Sequence, residues 1–83
     1  MKSKEIVIGK GSVTEARPAA MLVQVASRFS SSIYIEQTDK KVNAKSIMGV
    51  MTLAFVPGDK VSVVVDGEDE EAALEGISAL LES

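Results

Sequence analysis

The chain has 83 residues, a formal net charge of −3 at pH 7, and neither cysteine nor histidine. This length fits one small domain spanning residues 1–83. The missing residue types exclude disulfides, thiol and imidazole nucleophiles, histidine acid–base chemistry and the usual zinc and transition-metal sites.

Charge is distributed unevenly along the chain. All nine basic residues lie at or before Lys60, and seven of the twelve acidic residues follow it. An acidic total with only three aromatic residues makes a poor nucleic-acid surface, so we expect no direct binding to DNA or RNA. No apolar run approaches the about 18 residues of a membrane span, and the N-terminus does not lead into a signal-peptide core. These features predict a soluble, cytoplasmic protein.

The first half of the chain predicts a strand, a helix and a hairpin. A β-branched run at residues 5–8 predicts a strand that ends at a glycine-containing loop. Apolar residues at helical spacing predict a helix over residues 17–28, with proline early in its first turn. Alternating inward- and outward-facing residues at positions 33–36 predict a strand. The turn residues that follow it predict a hairpin whose second strand covers residues 41–44.

The second half predicts a short helix, a strand and a longer helix. Ser46 precedes the short helix as its N-cap. Alternating valines predict a strand over residues 60–65. An apolar stripe predicts a helix over residues 70–81, which Asp69 can cap. The order β α β β α β α predicts an α+β open-faced β-sandwich, in which helices cover one face of a sheet.

Two roles are open to Ser46. As an N-cap, its hydroxyl accepts a hydrogen bond from the first turn, which contributes about 1 kcal/mol and is purely structural. The same N–H groups and the positive end of the helix dipole also suit a phosphate, so a phosphoserine would be held there. The residues that follow are more apolar than one buried face needs, which favours a docking patch at the surface. They are Ile47, Met48, Val50, Met51 and Leu53.

Arg17 is the second candidate. A positive charge at the start of a helix is unfavourable by about 0.3 to 1 kcal/mol at an exposed site. Either Glu15 offsets this charge locally, or Arg17 and the first-turn N–H groups hold an anion from a partner or from a modified Ser46.

Two segments together resemble the HPr family of the bacterial sugar phosphotransferase system. They are Glu-Ala-Arg-Pro-Ala at residues 15–19 and Val-Asn-Ala-Lys-Ser-Ile-Met-Gly-Val-Met at residues 42–51. Phosphocarrier members hold a phosphoryl-accepting histidine directly before Ala-Arg-Pro, where this chain has Glu15. Within the family the pattern is most similar to the Crh group of Bacillus-type Firmicutes, which keeps the regulatory serine and lacks the carrier histidine. Crh proteins usually have glutamine at this position, so Glu15 departs from that group too.

The resemblance implies a function and a fold. The sheet would be four-stranded and antiparallel. HPr kinase/phosphorylase would phosphorylate Ser46, and the product would act as corepressor of CcpA, a LacI-type repressor, in carbon catabolite repression. Arg17 would contact the partner and Lys45 would moderate the phosphate charge. Phosphorylation would add about −1.5 to −2 charges and change the fold little. The docking patch for kinase and repressor would consist of Ile47, Met48 and Met51.

The resemblance also implies a protein that is not an enzyme, with no catalytic residue, cofactor or metal. A competing hypothesis is an HPr-like phosphocarrier or decoy that uses Glu15 in place of the histidine, since a carboxylate can form an acyl phosphate. A third is an interaction module in which Ser46 only caps a helix. We expect a monomer or a weak homodimer, and exchange of the first strand between two chains is one route to the dimer.

Overall fold

The computed structural model describes residues 1–9, 18–37, 39–53 and 56–82. Four strands and three helices occur in these ranges, in the predicted order β α β β α β α. They are β1 (Lys2–Val7), α1 (Pro18–Ala26), β2 (Ser32–Gln37), β3 (Lys40–Asn43), α2 (Ile47–Val50), β4 (Lys60–Asp66) and α3 (Glu70–Glu82).

The strands form one antiparallel sheet in the order β1-β4-β2-β3. β4 lies between β1 and β2: Val61 pairs with Ile6 of β1, and Val63 pairs with Ile35 of β2. The α+β open-faced sandwich with a four-stranded antiparallel sheet is therefore confirmed. Its edge strands are β1 and β3.

Alternation along the strands determines which face is buried. Val61, Val63 and Val65 of β4 are buried, whereas Ser62 and Val64 between them are half-buried on the opposite face. The isoleucines of β2 are buried in the same way, as predicted. Successive side chains of a strand point to opposite faces, so this pattern gives the sheet one apolar face.

The helices bury their apolar stripes against that face. In α1, Leu22 and Ala26 are fully buried, and in α3 Ala73 and Ile77 are fully buried. Spacings of three and four residues place such side chains on one side of a helix, which is why these segments form amphipathic helices. The short helix α2 contributes Val50, which is also fully buried.

Several predicted boundaries are wrong by a few residues. β1 begins at Lys2 because residues 2–4 pair with residues 63–65 of β4, a partner that the polar N-terminal sequence does not reveal. α1 ends at Ala26, and the N–H of Phe29 donates to the Ala26 carbonyl in a tighter turn beyond it. The predicted helix start at Arg17 lies outside the described residues.

The basic N-terminus and the acidic C-terminal helix contact each other. The Lys2 ammonium lies 2.6 Å from a carboxylate oxygen of Glu71, and the N-terminal amine lies 3.2 Å from Glu70. Lys4 lies 3.6 Å from Glu82 further along α3. The basic start and acidic end of the sequence thus form ion pairs with each other in the folded chain. Exposed ion pairs of this kind contribute little stability.

Candidate regulatory and docking site

Ser46 is the N-cap of α2, as the sequence predicts. Its backbone is extended, with φ −104° and ψ 112°, and its Oγ accepts a hydrogen bond from the N–H of Gly49 at 3.3 Å. Its carbonyl accepts from the N–H of Val50 at 2.9 Å. The Ser46 side chain is nevertheless exposed. The hydroxyl therefore both caps a helix and is open to a reagent from solvent.

The segment before Ser46 is anchored to the sheet. Ala44 is fully buried, and its N–H donates to the Ile33 carbonyl at 2.8 Å. The Asn43 side chain accepts from the N–H of Lys45 at 2.8 Å, and the Asn43 carbonyl accepts from the N–H of Ser46 at 3.0 Å. These local bonds turn the chain sharply out of β3 and into α2.

The far end of α2 is closed by a side chain as well. The Thr52 hydroxyl donates to the Gly49 carbonyl at 2.6 Å, and the Lys40 ammonium donates to the Thr52 carbonyl at 3.0 Å. The Gly49 carbonyl also accepts from the N–H of Thr52 at 3.1 Å, so backbone and side-chain donors together close the turn after the helix. A helix of only four residues is held by such contacts and by packing, because its propensity alone is insufficient.

Apolar residues of α2 and the turn after it divide into a buried and an exposed set. Val50 is fully buried and Leu53 is 8% exposed, whereas Ile47, Met48 and Met51 are 42%, 80% and 69% exposed. We call the exposed three the α2 patch. The sequence predicted this division, since the segment is too apolar for a single buried face.

One exposed apolar side chain of α1 was not predicted from the sequence. Met21 of α1 is 39% exposed, and α1 packs beside α2. Met21 lies outside the buried stripe of α1, next to the buried Leu22, and that position was the signal that could have revealed it.

Lys45 has a contact that the sequence did not indicate. Its ammonium donates to the Phe29 carbonyl at 2.7 Å, across 16 residues of sequence, and its side chain is half-buried. The structure thus gives this charge a partner inside the chain, next to the exposed Ser46.

Two predicted site residues, Glu15 and Arg17, lie outside the described residues, so their roles stay predictions. Within the described ranges, no group of three or more acidic side chains is arranged to hold a metal ion. Across the same ranges, the helices are too short or too polar to cross a membrane.

Comparison with known proteins assigns the chain to a family. The family profile described as "PTS HPr component phosphorylation site" matches residues 2–83. An HPr-like protein Crh from Halalkalibacterium halodurans is 45% identical over 82 residues, which cover 99% of this chain and 98% of the relative. The chain belongs to the HPr family.

Solved structures of HPr proteins share the fold. The crystal structure of a phosphocarrier protein HPr from Bacillus anthracis superposes with a TM-score of 0.89 at 42% identity, covering 98% of this chain and 96% of that one. The crystal structure of Crh from Bacillus subtilis superposes with a TM-score of 0.73 at 47% identity, covering 92% and 83% of the two chains. That Crh structure is described as a dimer with a swapping domain.

Proposed function

We propose that this HPr-family protein is a non-enzymatic regulator of the Crh type, acting in the cytoplasm. HPr kinase/phosphorylase phosphorylates Ser46, and the phosphorylated protein acts as corepressor of CcpA in carbon catabolite repression. The observation that carries this proposal is the exposed Ser46 hydroxyl directly beside the exposed α2 patch. The chain has no histidine to serve as the phosphoryl acceptor of the carrier members.

The α2 patch has the properties of a docking surface. Exposed apolar side chains gain about 1.5 to 3 kcal/mol each when fully buried, and Met48 and Met51 are largely exposed here. Methionine side chains adapt to partners of different shape, which suits a surface that meets both a kinase and a repressor. Because the patch adjoins Ser46, a bound partner would lie against the phosphate.

Phosphorylation would act mainly through charge. A phosphate on Ser46 would add about −1.5 to −2 charges to an exposed position. Val50 and Ala44, both fully buried, anchor the segment on either side, so the fold would change little. Arg17 is the proposed cationic contact to the partner, and Lys45 is the residue proposed to moderate the phosphate charge.

A kinase assay tests the assignment to Ser46. The protein is incubated with HPr kinase/phosphorylase and labelled ATP, beside Ser46→Ala and the control Ser27→Ala, which alters another exposed serine. We expect label on the wild type and on Ser27→Ala and none on Ser46→Ala. Equal labelling of Ser46→Ala, or no labelling of the wild type, contradicts the proposal.

A binding assay tests the docking patch. Phosphorylated protein should strengthen the binding of CcpA to its operator DNA. Met48→Asp should weaken this effect about tenfold or more, since a charge at the centre of an apolar contact remains unpaired. The control Val7→Asp places the same charge at a side chain of β1 that is 49% exposed, at the sheet edge opposite β3, and it should behave as wild type.

The similarity to a phosphocarrier protein HPr supports a second candidate function, in which Glu15 carries a phosphoryl group as an acyl phosphate or the chain acts as a decoy. Transfer of label from the upstream phosphotransferase enzyme to the wild type, lost in Glu15→Gln, would favour it. The same assay without any transfer would leave the regulatory function as the better account.

For the assembly we propose a monomer or weak homodimer. β1 lies at an edge of the sheet, and the Crh relative is described as a dimer with a swapping domain. Sedimentation velocity across a hundredfold range of protein concentration should show a monomer at the lower end. A tight dimer at every concentration would overturn this assignment.

A further inference from the structure

The ammonium of Lys45 is fixed at a point far along the chain. It donates to the Phe29 carbonyl at 2.7 Å, and the half-buried stem keeps it there. The N–H of the same residue donates to the Asn43 side chain at 2.8 Å. Lys45 is therefore held at its backbone and at its tip, whereas a lysine on an open surface samples many rotamers.

The acceptor stands beyond the C-terminal end of α1. Ser27 and Phe29 continue the turn, with their N–H groups donating to Val23 and Ala26. Carbonyls in this position lack amide donors, and the negative end of the helix dipole favours a cation. An ammonium is thus a suitable partner for the Phe29 carbonyl.

Phe29 is itself fixed against another helix. A Cβ added at Gly76 of α3 would lie 3.0 Å from Cζ of the Phe29 ring, so the ring rests closely on the α3 backbone. The absence of a side chain at Gly76 permits this approach. Lys45, the residue that precedes Ser46, is thus connected through Phe29 to both long helices.

The neighbouring short helix has little stability of its own. α2 has four residues, and one turn of helix does not persist in water without outside support. Buried Val50 fixes its inner side, and the Ser46 N–H and carbonyl make local hydrogen bonds to Asn43 and Val50; a tie from the preceding residue to the turn after α1 adds a long-range constraint. Lys45 is that residue.

We propose that Lys45 is a positioning residue for Ser46: its hydrogen bond to Phe29 orients the Ser46 hydroxyl for attack on the γ-phosphate of ATP in the kinase. In the transfer, the hydroxyl oxygen forms the new bond to phosphorus, the bond from phosphorus to the bridging oxygen of ADP breaks, and the hydroxyl proton passes to a base of the kinase. This inference rests on the proposed phosphorylation of Ser46. It assigns Lys45 an action inside the chain, distinct from direct contact with the kinase.

Steady-state phosphorylation by HPr kinase/phosphorylase tests the role of Lys45. Lys45→Met keeps most of the stem and removes the donor, Lys45→Arg keeps a charged donor, and Lys41→Met removes one charge from an exposed lysine on β3. We expect kcat to fall about tenfold in Lys45→Met, since misplacement of a reacting group lowers the rate at saturation. Lys45→Arg and Lys41→Met should stay within about twofold of wild type.

Whether Lys45→Met changes KM or kcat distinguishes the positioning role from destabilisation and from a lost contact to the kinase. A destabilised variant merely supplies less folded substrate, and a lost charge contact to the kinase weakens docking, so both raise KM and leave kcat unchanged. That result would overturn the positioning role. Absence of labelling in the wild type would instead refute the proposed function on which the inference rests.

Amide hydrogen exchange gives a readout that needs no kinase. In Lys45→Met, the N–H groups of Ser46 and Gly49 should exchange about fivefold faster or more, while those of β4 keep their wild-type protection. Lys41→Met serves as the control and should match wild type throughout. Unchanged exchange at Ser46 and Gly49 in Lys45→Met would show that the bond to Phe29 does not order the segment.

Discussion

The carboxylate of Asp69 accepts hydrogen bonds from both the hydroxyl and the N–H of Ser31, and it thereby ties the start of α3 to the segment before β2. The N–H of Ser30 adds a third bond at 2.9 Å. The Ser31 hydroxyl, followed by the Ser30 backbone, lowers the pKa of Asp69 from its ordinary 3.8 to about 2. Hydrogen bonds to the charged form have this effect.

Asp69 should make stability depend on pH in a defined window. Its folded-state pKa is lowered, so its contribution is present above about pH 4 and is lost as the pH falls towards about 2. Asp69→Asn should therefore lower the thermal midpoint at pH 7, and the difference from wild type should shrink between pH 4 and pH 2. Circular dichroism melts at each pH measure this. Glu68→Gln, which removes a negative charge from an exposed neighbour, is the matched control.

Gly67 should tolerate a side chain less well than Gly58. A Cβ at Gly67, where φ is +157°, would lie 2.5 Å from the Ser31 Oγ and 2.6 Å from its Cα, which is too close. Strain and overpacking together predict a loss of about 3 kcal/mol for Gly67→Ala. Gly58 has φ +91° with nothing within 4 Å of the added atom, so Gly58→Ala should cost about 1 to 2 kcal/mol from backbone strain alone. Equal losses in urea unfolding would contradict the close approach to Ser31.

The cap made by Ser46 should be measurable apart from phosphorylation. Ser46→Ala removes the acceptor of the Gly49 N–H and should lower the free energy of unfolding by about 1 kcal/mol. Ser46→Asp supplies another acceptor of good capping ability and should retain most of the stability. Urea titrations of the unphosphorylated proteins measure both values. A cap role would be refuted if Ser46→Ala matched wild type.

Core and docking residues should separate cleanly in stability measurements. Ile77 of α3 is fully buried, so Ile77→Ala should cost about 2 to 5 kcal/mol through lost burial and the cavity left behind. Met48 is 80% exposed, and Met48→Ala should change stability by at most about 0.5 kcal/mol. A large loss in Met48→Ala would mean that the α2 patch is structural and would count against its docking role.

Local patterns account for what could be predicted. The alternation of Val61, Val63 and Val65 identified β4 and its buried face, and a serine followed by apolar residues identified Ser46 as a cap. Both depend on contacts between residues a few positions apart. The limits of β1 could not be predicted in this way, because residues 2–4 are polar and become a strand only through pairing with β4.

The sequence by itself determined the order of elements and the buried stripes, since these follow from the periods of helix and strand. Its composition determined the absence of histidine and the surplus of apolar residues after Ser46. The tertiary structure alone decided which polar groups meet across the fold. Lys45 finds the Phe29 carbonyl 16 residues away, and Asp69 finds Ser31 38 residues away. Such pairs depend on how the helices dock on the sheet, and the whole apolar core determines that docking. The polar residues that come into contact therefore show no periodic pattern in the sequence.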